Sequence, residues 1–245
     1  MAQNDELDLL ICDPRMTEKD FGDFYEILGV SVGVPVTERR EFINREIRHS
    51  YGHTIANLRR EWYEPDYITI VRATAQKLKV PIKDHQTLDE LEDKILIEII
   101  ELAREQIIKE KGESAWKEIE KDIEEELARL IAEGSIPHHI ADQIKNLRGA
   151  ALMASLLGGR MAGFLLYIVV NQVFFAIARW FGISIGVAVA GPIIGRTLAL
   201  LLGPAGWILS GILLVFDLGN TNWRRVIPSV TLAIVIRRRF KFGDY

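Results

Sequence analysis

The chain has 245 residues, 49% of them hydrophobic, and a formal net charge of -4; that apolar content builds a sizeable core and argues against an intrinsically disordered chain. The small net charge conceals a polarised molecule: residues 1–149 carry 21 basic and 32 acidic side chains, a net of -11, and residues 150–245 carry nine and two, a net of +7. An acidic front argues against nucleic acid as a partner, whereas a basic, apolar back suits anionic lipid headgroups or an acidic surface of the front half itself.

The start, Met1-Ala2-Gln3-Asn4-Asp5-Glu6, lacks the basic residues and apolar run of a secretory signal. Cys12 is the single cysteine and cannot form an internal disulfide. The expected location is therefore the cytoplasmic side, not the secreted space. Thr17-Glu18-Lys19-Asp20 reads as a helix N-terminus, a threonine oxygen with an acidic group three residues on, and that helix should end near Gly29. Glycine and proline punctuate residues 29–36, which read as a loop. Helices are expected at about 37–60 and 65–79, broken at Glu64-Pro65 because the residue before proline avoids helical geometry.

Thr87-Leu88-Asp89-Glu90 matches a capping box opening a helix whose Leu88, Leu91, Ile95, Ile99 and Leu102 form one apolar stripe. After Gly112 the pattern returns with Trp116, Ile119, Ile123, Leu127 and Leu130, and a solvated run of lysine, aspartate and glutamate covers the other faces. A helix from Ser135 and Pro137 is expected to turn Ile140, Ile144, Leu147 and Ala151 inward. The predicted fold class is all-α: an acidic helical domain over 1–149, then a glycine-rich, apolar, basic-ended helical region over 150–245, a hairpin or a core.

In that second region charge-free stretches of 18, 16 and 20 residues lie between Arg160, Arg179, Arg196 and Asp217, at the threshold of roughly 20 apolar residues needed to span a bilayer. Gly182, Gly186 and Ala190, then Gly191, Gly195, Ala199 and Gly203, recur at four-residue steps, which lines a helix face with backbone for close packing in lipid or in a soluble crossing. Asn171, Gln172, Arg196 and Gly203-Pro204 oppose a permanent span, since a buried polar group in lipid costs on the order of a few kcal/mol unless paired. Arg160, Tyr167 and Asn171 share one stripe of the first apolar helix, as on an interfacial helix or on a core helix bonded to a neighbour. A last helix is expected from about Arg225, with Pro228 in its first turn, ending in Arg237-Arg238-Arg239-Phe240-Lys241. Inserted segments would cross an even number of times, leaving the front and the basic tail on the cytoplasmic face.

Two segments resemble the uncharacterised bacterial YaaW-like family, grouped loosely with ubiquinol–cytochrome c chaperones. The first is IRHSYGHTIANLRREWYEPDYITIVRATAQKLKV, from Ile47 to Val80. The second is GPAGWILSGILLVFDLGNTNWRRVIPSVTLAIVIRR, from Gly203 to Arg238, which carries Asp217, Gly219, Trp223, Arg224 and Ile227-Pro228-Ser229-Val230 in the family's order. Together they cover about 70 of the 245 residues; His53 stands where the family has glycine or asparagine. The resemblance implies an α-helical bacterial protein, chaperone-like in the sense of an assembly factor at a membrane.

Chemistry-bearing motifs are sparse. There is no phosphate-binding glycine loop, H-E-x-x-H or paired C-x-x-C, so no cofactor and no enzyme activity is expected. Glu46, His49 and His53 could share a helix face as metal ligands, although the spacing arises readily by chance. His138 and His139 point about 100° apart and belong to a helix's first turn. Arg59, Trp62, Tyr63 and Asp66, with Asp217, form a candidate binding cluster or an ion-paired junction. Arg224, Arg225, Arg237, Arg238, Arg239 and Lys241 are candidates for contact with lipid or with an acidic surface. The expected function is that of a membrane-associated assembly or interaction protein in which residues 152–216 meet membrane lipid or a membrane protein. The alternative is a soluble all-α binding module that buries this region in its own core or in a homo-oligomer.

Overall fold

The structure, a computed structural model, describes residues 5–29, 35, 38–52, 65–147, 150–159, 161, 163–180 and 222–242. Among these residues the chain forms ten α-helices and no strand. They are α1 (Glu6–Cys12), α2 (Glu18–Leu28), α3 (Arg39–Gly52), α4 (Tyr67–Lys77), α5 (Leu88–Lys111), α6 (Glu113–Ala132), α7 (His138–Lys145), α8 (Ala150–Leu157), α9 (Gly163–Trp180) and α10 (Trp223–Phe242).

Local chemistry sets most of the boundaries. Thr17 and Thr87 each accept from the N–H three residues on, while Asp20 and Glu90 reach back to the cap N–H, completing the capping boxes of α2 and α5. Asp5 and Asp8 do the same for α1, and Asp66 caps α4 by accepting from the Thr69 N–H. Gly29 ends α2 at φ +64°, a conformation that favours glycine, and the Arg225 guanidinium lies 3.2 Å from where a Cβ would stand. Gly112 alone joins α5 to α6, which pack against each other.

Two expectations are corrected. The single helix predicted over 136–151 is two, α7 and α8. Asn146 ends α7 with its side chain turned back to the Asp142 carbonyl, and the Leu147 N–H closes the turn on Ile144. This interruption resets the helical phase, so Ile140 and Ile144 are buried but Ala151 is exposed. In α10 the Asn222 carbonyl accepts from Arg225 and Val226, which starts the helix earlier than expected and places Pro228 inside it rather than in its first turn. There the ring removes the donor for the Arg224 carbonyl, at a residue that is itself exposed.

The buried side chains form one continuous core running from Leu7 to Ile236. Within it α9 packs on α6 and α5, while α10 packs on α1, α2, α3, α4, α5 and α9. Every residue from Val226 to Ile236 is buried, as required of a helix enclosed on all sides. In α9, Leu165 to Asn171 are also buried. The Tyr167 hydroxyl hydrogen-bonds with the Asn171 side chain one turn on, which satisfies the polar stripe inside the protein; Arg160 lies outside the described residues. Among the described residues no helix is long and apolar enough to cross a membrane.

Candidate functional site

The densest polar constellation lies where the end of α10 meets α2, α4 and α5. Successive residues of a helix are about 100° apart, so arginines 237–239 leave α10 in different directions: Arg239 reaches α2, whereas Arg237 and Arg238 both reach α5. Arg239 grips Asp20 of α2 with both arms, at 2.9 and 2.7 Å, and both side chains are buried. Arg238 reaches α5, meeting Asp93 at 2.8 Å, Asp89 at 3.3 Å and Glu92 at 3.5 Å, and donates to the Asp89 carbonyl at 2.6 Å. Arg237 lies 2.9 Å from Glu92 and 3.5 Å from Asp89, with its guanidinium over the Tyr67 ring of α4. Lys241 completes the set on Asp89.

The acidic side is organised by one helix. Asp89, Glu92 and Asp93 are spaced by three and four residues, so they share a face of α5, and Asp89 lies in its first turn, where the helix dipole favours negative charge. Tyr67 donates to the Glu92 Oε1 at 3.1 Å. Arg15 fastens the outer edge: it donates to the Phe240 carbonyl at 2.7 Å and lies over the Phe240 ring.

These carboxyls divide by environment. Burial pushes Asp20 up, but the Arg239 and Thr17 hydrogen bonds and the Arg239 charge outweigh it and hold the group below the usual aspartate range. Asp89 behaves alike, with Lys241, Arg238 and Arg237 overcoming burial. For Glu92 burial wins, pushing the carboxyl up to about 7 against the pull of Arg237 and Arg238. Burial likewise raises Asp93 against Arg238. A cleft of about 350 Å³ opens beside this junction, walled by Leu9, Leu10, Arg15, Asp89, Phe240 and Lys241. Leu9 is notably exposed for a large apolar residue.

Of the basic candidates, Arg237, Arg238, Arg239 and Lys241 therefore converge on one acidic junction. Arg224 is exposed, and Arg225 lies against Gly29 at the other end of α10. Asp66 serves as a helix cap; Arg59, Trp62, Tyr63 and Asp217 lie outside the described residues, as do Gly182, Gly186, Gly191, Gly195 and Gly203. Glu46 and His49 lie on α3 and His53 is outside the described residues; among those described, no group of three His, Cys, Asp or Glu could hold a metal ion. His138 and His139 occupy the first turn of α7.

Sequence reasoning missed Tyr67, Glu92 and Asp93. The available signal was Glu92 itself, a carboxyl beside Leu91 and within three residues of Ile95, on the apolar stripe. Comparison with known proteins finds no matching family model, no matching curated protein and no matching solved structure.

Proposed function

We propose that the chain is a membrane-associated helical interaction protein, with its apolar contact element in the C-terminal region. Because α8 and α9 contribute their apolar side chains to the core, that element narrows from residues 152–216 to residues 181–216. The observation that carries the reading is where this stretch is tethered: its two ends continue from α9 and into α10, helices of the same packed body. An even number of crossings, or a loop dipping into one leaflet, meets that requirement. The charge-free lengths and the four-residue glycine spacing support it. The resemblance to the YaaW-like family and its implied role in assembly at a membrane point the same way.

The burial of α9 favours a second reading, a soluble all-α binding module that encloses its apolar helices. High-speed sedimentation of the full-length protein without detergent separates the two. The membrane reading expects the protein in the pellet and its release by mild detergent. A monodisperse supernatant would replace that reading with the soluble module.

A further inference from the structure

Asp89, Glu92 and Asp93 face Arg237, Arg238 and Lys241, three carboxyls against three cations. Glu92 is the innermost, with 0% of its surface exposed. Around it are Tyr67 from α4, Arg237 and Arg238 from α10, and Asp89 and Asp93 on its own helix; Lys241 stands one step out on Asp89. Its hydrogen bonding is incomplete. Tyr67 donates to Oε1, but the buried Oε2 accepts no hydrogen bond: the Arg238 Nη2 stands 3.5 Å from it and the Arg237 Nε 2.9 Å from Oε1, both at ion-pair distance without the alignment to donate. A carboxylate in this position is charged yet short of donors, and it would regain a full hydration shell on leaving the junction. A protonated carboxyl gains far less by leaving.

We infer that Glu92 is the proton-sensing element of a clasp between α5 and α10, in which protonated Glu92 keeps the last two turns of α10 seated and loss of the proton loosens them. Burial, against the pull of Arg237 and Arg238, pushes the seated Glu92 up to about 7, compared with 4.5 for a free glutamate. The sign follows from linkage: the seated state binds the proton more tightly, so the added hold is present in mild acid and is lost as pH rises through the seated value. Asp93, also raised by burial, acts in the same sense. Asp89 is lowered and weakens the clasp only at much lower pH. With these limits the opening equilibrium increases about tenfold between about pH 6 and pH 8. The clasp is independent of whether the chain binds membranes.

Native-state amide exchange of the full chain, corrected for the intrinsic pH dependence of exchange, reads the opening of α10 directly. Residues 234–242 are expected to open about tenfold more at pH 8 than at pH 6, and Glu92→Gln to remove most of the difference. Equal or lesser opening at pH 8 in the unaltered protein overturns the inference, as does a folded Glu92→Gln protein that keeps the full difference. Asp23 of α2 is also pushed by burial, to about 6, so Asp23→Asn serves as a control. It is expected to retain the pH difference, and loss of the difference there would overturn the assignment to Glu92. Should Glu92→Gln fail to fold, the titration of the Glu92 carboxyl in the unaltered protein by NMR decides, and a midpoint no higher than that of a free glutamate overturns the inference.

Discussion

Asp20 and Arg239 stand 219 positions apart in the chain and meet through two hydrogen bonds in the interior. Ion pairs in this setting cost so much desolvation that they add little net stability, but removing one member leaves a buried charge, at about 3–5 kcal/mol. Arg239→Gln and Asp20→Asn are each expected to lower the unfolding free energy by about that amount. The double variant should lose clearly less than the sum. Urea denaturation of the four proteins measures this, and strictly additive losses would show that the pair is not coupled. Asp20 was legible in the sequence as the reciprocal member of the Thr17 capping box, because that role depends on a spacing of three residues. Its second role was not, because nothing local specifies a partner at the far end of the chain.

Among elements, the legible ones were those set by short-range chemistry. Thr17, Thr87, Gly29 and Gly112 marked ends that the structure retains, and the stripes of α5 and α6 correctly turned Leu91, Ile95, Ile99, Trp116, Ile119, Ile123 and Leu127 inward. The break between α7 and α8 was harder to read, since the apolar spacing continues through Leu147 while the Asn146 side chain diverts the backbone. The depth of α10 was hidden for a different reason. A run of eleven buried residues including Pro228, Ser229 and Thr231 has no one-sided pattern, and a helix enclosed by protein looks in sequence much like one enclosed by lipid. Two substitutions separate local from tertiary contributions. Thr87→Ala removes a surface cap and should cost about 1 kcal/mol, whereas Ile234→Ala in the centre of α10 should cost about 2–5 kcal/mol. Thermal unfolding orders them, and an Ile234→Ala effect no larger than that of Thr87→Ala would show that α10 is not packed as described.

At the scale of the whole molecule, the opposed charges of the two halves were visible from composition, and contact with the chain's own acidic surface was one of the two roles open to the basic end. Magnitudes now distinguish them. An anionic membrane offers up to about 1 kcal/mol for each basic residue near its surface, whereas withdrawing one partner from a buried pair costs about 3–5 kcal/mol. Arg239 holds a buried pair with Asp20, and the buried Arg238 pairs with the half-buried Asp93, so the last turns of α10 act as an internal anchor. The proposed membrane contact of residues 181–216 then leaves α10 in place. Amide exchange of the full-length protein with and without anionic vesicles tests this anchor most directly. The account predicts that residues 230–239 remain among the slowest-exchanging amides under both conditions, whereas loss of their protection on vesicles, with α5 and α6 still protected, would contradict it.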